Sequence, residues 1–106
     1  MPRVSFCIPT HDGNARCQNY LFDIFHALSQ QTNKGFNVWV SDHSESDKII
    51  NACAEYADLF EIMYIPNDKN KGNISANTNN ALQNADGDIL KVLFSDDLKI
   101  DFLPAL

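Results

Sequence analysis

The chain has 106 residues, of which 44% are hydrophobic and 10% aromatic, with a formal net charge of −6. That length fits one domain, and the composition can fill one core covering roughly two-thirds of the surface an unfolded chain of this size exposes. The acidic balance argues against nucleic acid or an anionic membrane surface as partner, since both are held by Lys and Arg.

Val4 to Ile8 is a short apolar run stopped by Pro9, and it reads as a buried strand. His11-Asp12-Gly13-Asn14 is a turn cluster. From Ala15 to Gln31, Cys17, Tyr20, Leu21, Ile24, Phe25 and Leu28 recur at helical spacing. Phe36 to Ser41 is a second strand, followed by the loop Asp42-His43-Ser44-Glu45. Ser44 or Ser46 is a candidate cap for a helix whose inner face is Ile49, Ile50, Cys53, Ala54 and Ala57, and Ser44-x-x-Asp47 resembles a capping box. Phe60 to Ile65 is a third strand, ended by Pro66. A third helix, about Ile74 to Asn84, carries Ile74, Thr78, Ala81, Leu82 and Ala85 on one side. After the turn Asp86-Gly87, Ile89 to Phe94 is a fourth strand that reads as buried, and Ser95-Asp96-Asp97 follows it.

The expected order is β-α-β-α-β-α-β. Such alternation predicts an α/β domain with a mostly parallel four-stranded sheet and helices on both faces, a three-layer Rossmann-like arrangement. The three cysteines, Cys7, Cys17 and Cys53, have no metal-site or redox-pair spacing. They favour a reducing, cytoplasmic compartment. No secretory leader or membrane-spanning stretch is visible.

Open parallel sheets bind ligands outside the carboxyl ends of their strands. Pro9, Thr10, His11 and Asp12 follow the first strand, Asp42, His43 and Ser44 the second, and Ser95, Asp96 and Asp97 the fourth. Carboxylates gathered at one edge repel unless a cation joins them or water screens them. Asp96 and Asp97 would suit Mg²⁺ or Mn²⁺ together with phosphate oxygens; the alternative is a turn or helix start. Asp42, an acceptor only, can take the imide N–H of a uracil- or thymine-type base; the alternative is an N-cap or Asx-turn. Lys71 and the start of the third helix form a candidate anion site, or else a solvated loop. His11 and His43 read as solvated loop residues and His26 as structural. Trp39 and the Phe residues read as core. No Walker, dinucleotide-binding or nucleophile-elbow motif is present.

These segments resemble the family 2 glycosyltransferases of the GT-A fold. Val4-Ser5-Phe6-Cys7-Ile8-Pro9-Thr10 is similar to the family's opening, and Leu28-Ser29-Gln30-Gln31-Thr32 to the end of its first helix. Val38-Trp39-Val40-Ser41-Asp42-His43-Ser44 is similar to its Asp-Asp-Gly-Ser segment, with Ser41 and His43 as departures. Asn70-Lys71-Gly72-Asn73 through Ala76, Asn79 and Ala81 resembles its central loop and helix. Ala85-Asp86-Gly87-Asp88-Ile89 and Phe94-Ser95-Asp96-Asp97 resemble the approach to, and core of, its Asp-x-Asp-type metal motif. They occur in the family's order and cover nearly the whole chain.

The resemblance implies a nucleotide-diphosphate-sugar donor of UDP or dTDP type, an inverting transfer to an acceptor, and help from Mn²⁺ or Mg²⁺. Thr10 and Asp42, beside Pro9, would contact the base, and Asp96 would lie at the ribose and diphosphate. Asp97 would bind the metal; Ser95 stands where some members have the first acidic residue. The family's domains continue past this motif into an acceptor half with a catalytic carboxylate, and the chain stops nine residues after Asp97. One domain over 1–106, truncated after the metal motif and without a catalytic base, is therefore expected. Self-association or a partner chain would complete it. A non-catalytic nucleotide-binding module and an interaction protein on the same fold are the alternatives.

Overall fold

The structure is a computed structural model that describes residues 3–11, 15–32, 34–69, 71 and 73–93, with the side chains of 15 and 16 set aside. Its elements are β1 (Val4–Thr10), α1 (Ala15–Ser29), β2 (Phe36–Asp42), α2 (Lys48–Tyr56), β3 (Glu61–Pro66), α3 (Ile74–Asn84) and β4 (Ile89–Val92). All pairings are parallel, in the order β3-β2-β1-β4. The expected α/β sequence of elements is what forms. The chain steps outward from β1 to β3 and then returns to the other side of β1, so the order reverses between β1 and β4. In sheets of this kind that reversal marks the ligand crevice.

The two faces of the sheet differ in chemistry. Phe6, Ile8, Phe36, Val38 and Val40 meet Leu21, Ile24, Phe25 and Leu28 of α1 and Ile49, Ala52 and Cys53 of α2 in one apolar cluster. Phe25, Phe36 and Phe60 interlock there, with ring centroids 5.6–5.7 Å apart, a spacing that suits tilted and edge-to-face pairs. The opposite face, under α3, is polar. Ser5 Oγ donates to Asn37 Oδ1 at 2.6 Å, and Asn37 Nδ2 donates to Asp86 Oδ1 at 2.8 Å. The Gly87 N–H closes the chain on Ser5 Oγ at 2.8 Å. Trp39 is half-buried on this face and donates to Asn37 Oδ1.

Several expectations need correction. Pro9 does not stop β1, which runs on to Thr10. Cys7 O accepts from Leu93 N–H on the β4 side and Thr10 O accepts from His43 N–H on the β2 side. Alternation therefore turns the absent N–H of Pro9 toward β4, whose pairing has already ended at Cys7. The inner face of α2 is Ile49, Ala52 and Cys53, while Ile50, Ala54 and Ala57 are exposed. The N-cap position of α2 is Asp47, whose side chain makes no capping bond; Ser44 turns to Asp42, while Ser46 Oγ accepts from Lys48 N–H at 3.4 Å. On α3 the buried residues are Asn77 and Ala81, and Ile74 is exposed, because the sheet face it meets is polar. Among the described strands β4 lies at the edge, with Ile89 48% and Leu90 44% exposed. Its apolar run reads, from sequence, as a buried strand. His26 is exposed on α1.

Candidate functional site

Thr10, Asp42 and Pro66 stand in one row across the carboxyl ends of β1, β2 and β3. β2 carries its extended geometry through Asp42, so this carboxylate belongs to the sheet rather than to a loop. Asp42 is only 2% exposed. A buried carboxylate must be hydrogen-bonded, and four donors among the described residues meet this one. Oδ1 accepts from Thr10 Oγ1 at 2.9 Å, from Ser44 N–H at 3.1 Å and from Ser44 Oγ at 2.5 Å. Oδ2 accepts from Tyr64 Oη at 2.5 Å. Thr10 has one hydroxyl proton, and Ser41 O at 3.5 Å is too distant to compete for it.

The Ser44 N–H bond makes Asp42 an Asx-turn residue, one of the two roles open to it from sequence. The other local role, capping α2, is not taken. Tyr64 is the residue that sequence reasoning passed over. It pairs in register with Val40, two residues before Asp42 on the same face of the sheet, and so reaches the carboxylate diagonally. The available signal was period-two alternation counted back from Pro66. Burial raises the Tyr64 phenol above its ordinary value, and the hydrogen bond to Asp42 raises it further, so the phenol stays protonated and donating. Burial also pushes the Cys53 thiol up to about 12, with Asp42 adding to the effect.

A second polar network fixes the same edge from the α3 side. Asn77, buried on α3, donates from Nδ2 to Thr10 O at 3.2 Å. Its Oδ1 accepts from Ser41 Oγ at 2.7 Å and from Asn67 Nδ2 at 3.2 Å. Asn80 Nδ2 donates to Ser41 Oγ at 2.9 Å. His43 is buried rather than solvated. Its Nε2 lies 3.0 Å from Lys69 O and 3.1 Å from Asn67 Nδ2, and can donate to the first or accept from the second, not both at once. The carboxyl ends of three strands and the approach to α3 are thus tied through Asn67, Asn77 and His43.

Pro9, Thr10 and Asp42 therefore lie together at the strand ends. His11 is exposed beside them, with its N–H on Cys17 Sγ. Lys71 is exposed three residues before α3 and forms an ion pair with Glu45 at 2.7 Å. The first turn of α3 already has one donor satisfied, Ala76 N–H by Asn73 Oδ1 at 3.0 Å. An anion at this helix start would compete with Glu45 for the ammonium. Asp12, Asn70, Gly72, Ser95, Asp96, Asp97 and Asp101 lie outside the described residues. Among the described residues no group of three or more His, Cys, Asp or Glu side chains could hold a metal ion. The described part thus supplies no donor set against which Mn²⁺ or Mg²⁺ can be fitted. None of the described helices is long and apolar enough to cross a membrane.

Solved structures share this fold. The crystal structure of S. aureus TarS 1-349 superposes with a TM-score of 0.77 at 24% identity, covering 90% of this chain and 28% of that one. TarS 1-349 in complex with UDP-GlcNAc gives 0.75 at 23% identity, covering 89% and 26%. The Pyrobaculum calidifontis mannosyltransferase PcManGT, in complex with GDP-Man and Mn²⁺, gives 0.68 at 22%, covering 90% and 28%. The chain thus spans about a quarter of the length of these structures, and the likeness is one of fold. Among curated proteins the sequence finds no significant match. Its match to the family described as Glycosyl transferase family 2 runs over residues 5–101, from within β1 to beyond the end of β4. The chain belongs to that family.

Proposed function

We propose that the chain carries the nucleotide-sugar-binding part of a glycosyltransferase. The enzyme would transfer a sugar from a nucleotide-diphosphate donor to an acceptor, with inversion and the help of a divalent cation. The observation that carries this reading is the Thr10–Asp42 pair. It is a buried, hydrogen-bonded carboxylate at the carboxyl edge of a parallel sheet, next to the strand where the order reverses. Solved neighbours hold UDP, UDP-GlcNAc and GDP-Man, which supports a nucleotide sugar as the class of ligand.

In this reading Pro9, Thr10 and Asp42 receive a uracil- or thymine-type base, Lys71 draws in the diphosphate, and Asp96 lies at the ribose and diphosphate. Asp97 holds Mn²⁺ or Mg²⁺, whose chemistry would be to stabilise charge on the departing nucleoside diphosphate. In this reading residues 1–106 form one nucleotide-sugar-binding domain, and no residue of it is assigned as the catalytic base. Ile89 and Leu90, exposed on β4, support contact with a second copy or a partner chain. Buried Cys7, Cys17 and Cys53 suit a reducing, cytoplasmic setting. A second reading, a module that keeps the fold without transfer, draws on the near-complete burial of Asp42.

Amide spectra of the ¹⁵N-labelled chain titrated with UDP and diamagnetic Mg²⁺ test the proposal. Shifts concentrated at Thr10, Asp42, His43 and Ser44 are expected. A spectrum of the folded chain that does not change with UDP contradicts it.

A further inference from the structure

The hydrogen bonds around Asp42 limit how it can be used, an inference that rests on the base-binding reading above. A carboxylate has about four acceptor sites, two on each oxygen. Oδ1 already receives three donors, the Thr10 hydroxyl and both the N–H and hydroxyl of Ser44. Oδ2 receives the Tyr64 hydroxyl. Among the described residues this leaves one direction, on Oδ2, for a ligand. Asp42 as a whole is 2% exposed.

Bases differ in what they need from such a group. The imide of uracil or thymine presents one N–H between two carbonyl oxygens. The Watson–Crick edge of guanine presents a ring N–H and an amine N–H side by side, a two-pronged donor that suits both oxygens of an open carboxylate. Both kinds of base occur in the fold, since TarS is solved with UDP and PcManGT with GDP-Man.

We propose that the hydroxyls of Tyr64, Ser44 and Thr10 together determine base specificity by filling Asp42, leaving it an acceptor for one N–H, so that the site takes a uracil- or thymine-type base and rejects guanine. Tyr64 acts from β3 and Ser44 from the loop after β2. Each does so through a hydroxyl that can be removed with little change of shape. A guanine placed here would bury one donor without a partner, which lowers affinity on the order of 10-fold or more.

The test is the ratio of UDP to GDP affinity, measured by calorimetry with Mn²⁺ on the full chain. Wild type, Tyr64→Phe, Ser44→Ala, the double variant and their combinations with Thr10→Val are compared, each checked for folding by circular dichroism. A general loss of structure weakens both nucleotides together and leaves the ratio unchanged, so the ratio isolates the specificity role. Wild type is expected to prefer UDP by at least about 10-fold. Tyr64→Phe opens a second site on Oδ2 and should lose part of that preference through a gain in GDP affinity. The double variant combined with Thr10→Val, which leaves the Ser44 N–H alone on Oδ1, should lose most of it. Ser44→Ala combined with Thr10→Val, which opens a site on Oδ1, carries the same test if Tyr64→Phe does not fold. UDP binding with an unchanged ratio in the folded variants overturns the specificity role and leaves the base-binding reading standing. Failure of folded wild type to bind either nucleotide overturns both.

Discussion

Thr10 and Asp42 stand opposite each other at the last paired position of β1 and β2, and the Thr10 hydroxyl donates to Asp42 Oδ1 at 2.9 Å. Thr10→Val keeps the shape of the side chain and removes only that donor. A hydrogen bond to a buried charged group contributes about 1.5–3 kcal/mol. Urea unfolding of Thr10→Val should show a loss of that size, and UDP affinity should fall with it. A variant as stable as wild type would mean that the Ser44 and Tyr64 donors suffice.

Gly87 joins the α3–β4 turn to the start of β1 at a distance only glycine tolerates. A Cβ there would lie 2.5 Å from Ser5 Oγ, 2.7 Å from Ser5 N and 2.9 Å from Arg3 O, and two of those neighbours are backbone. Gly87→Ala must therefore shift β1 against the turn, and overpacking of this kind costs about 1–3 kcal/mol. A drop in the denaturation midpoint with an unchanged urea slope is expected.

Asn77 separates the sequence expectation from the structure. Helical periodicity assigned Ile74, Thr78 and Ala81 to the inner side of α3 and made no use of Asn77. On that view Asn77→Leu is neutral or stabilising. In the structure Asn77 bonds Thr10 O, Ser41 Oγ and Asn67 Nδ2 at the site edge. Removing it leaves those groups to find new partners, at about 1–3 kcal/mol for each that stays buried and unsatisfied. Thermal unfolding of Asn77→Leu should show clear destabilisation.

The thiols and the phenol give a pH signature. Burial raises Cys7 from 9.0 to about 11 and Cys53 from 9.0 to about 12, and it raises Tyr64 in the same direction. Each group is neutral when protonated, so above pH 9 the folded chain holds protons that the unfolded chain has released. Stability contributed by these groups is complete below about pH 9 and is lost as pH rises toward 11 and 12. Denaturation midpoints should fall steadily over that range, and Cys53→Ala should flatten part of the fall.

The order of elements was readable because each strand is a short β-rich run and each helix falls between turn residues. Thr10 and Asp42 were readable because residues that follow strands in a parallel sheet share one edge. Three features were not. Pro9 looked like a stop, and only the place where β4 ceases to pair makes it harmless. β4 looked buried because its residues are apolar, yet its place in the strand order puts it at an edge. Tyr64 looked like one more strand aromatic, since a diagonal contact across two strands depends on register, which no single segment encodes. The polar α3 face escaped for a related reason: Ser5, Asn37, Ser41 and Asn77 lie far apart in the chain, and each alone resembles an ordinary polar residue.

The central claim is that the edge holding Asp42 binds a nucleoside diphosphate. Calorimetric titration with UDP, with and without Mn²⁺, on wild type, Asp42→Asn and Asp97→Ala tests it most directly. The account predicts Mn²⁺-dependent binding to wild type. It predicts a loss of at least about 10-fold in Asp42→Asn, where half of the carboxylate becomes a donor facing donors, and loss of the Mn²⁺ dependence in Asp97→Ala. Folded wild type that takes up no heat with UDP under either condition would contradict it.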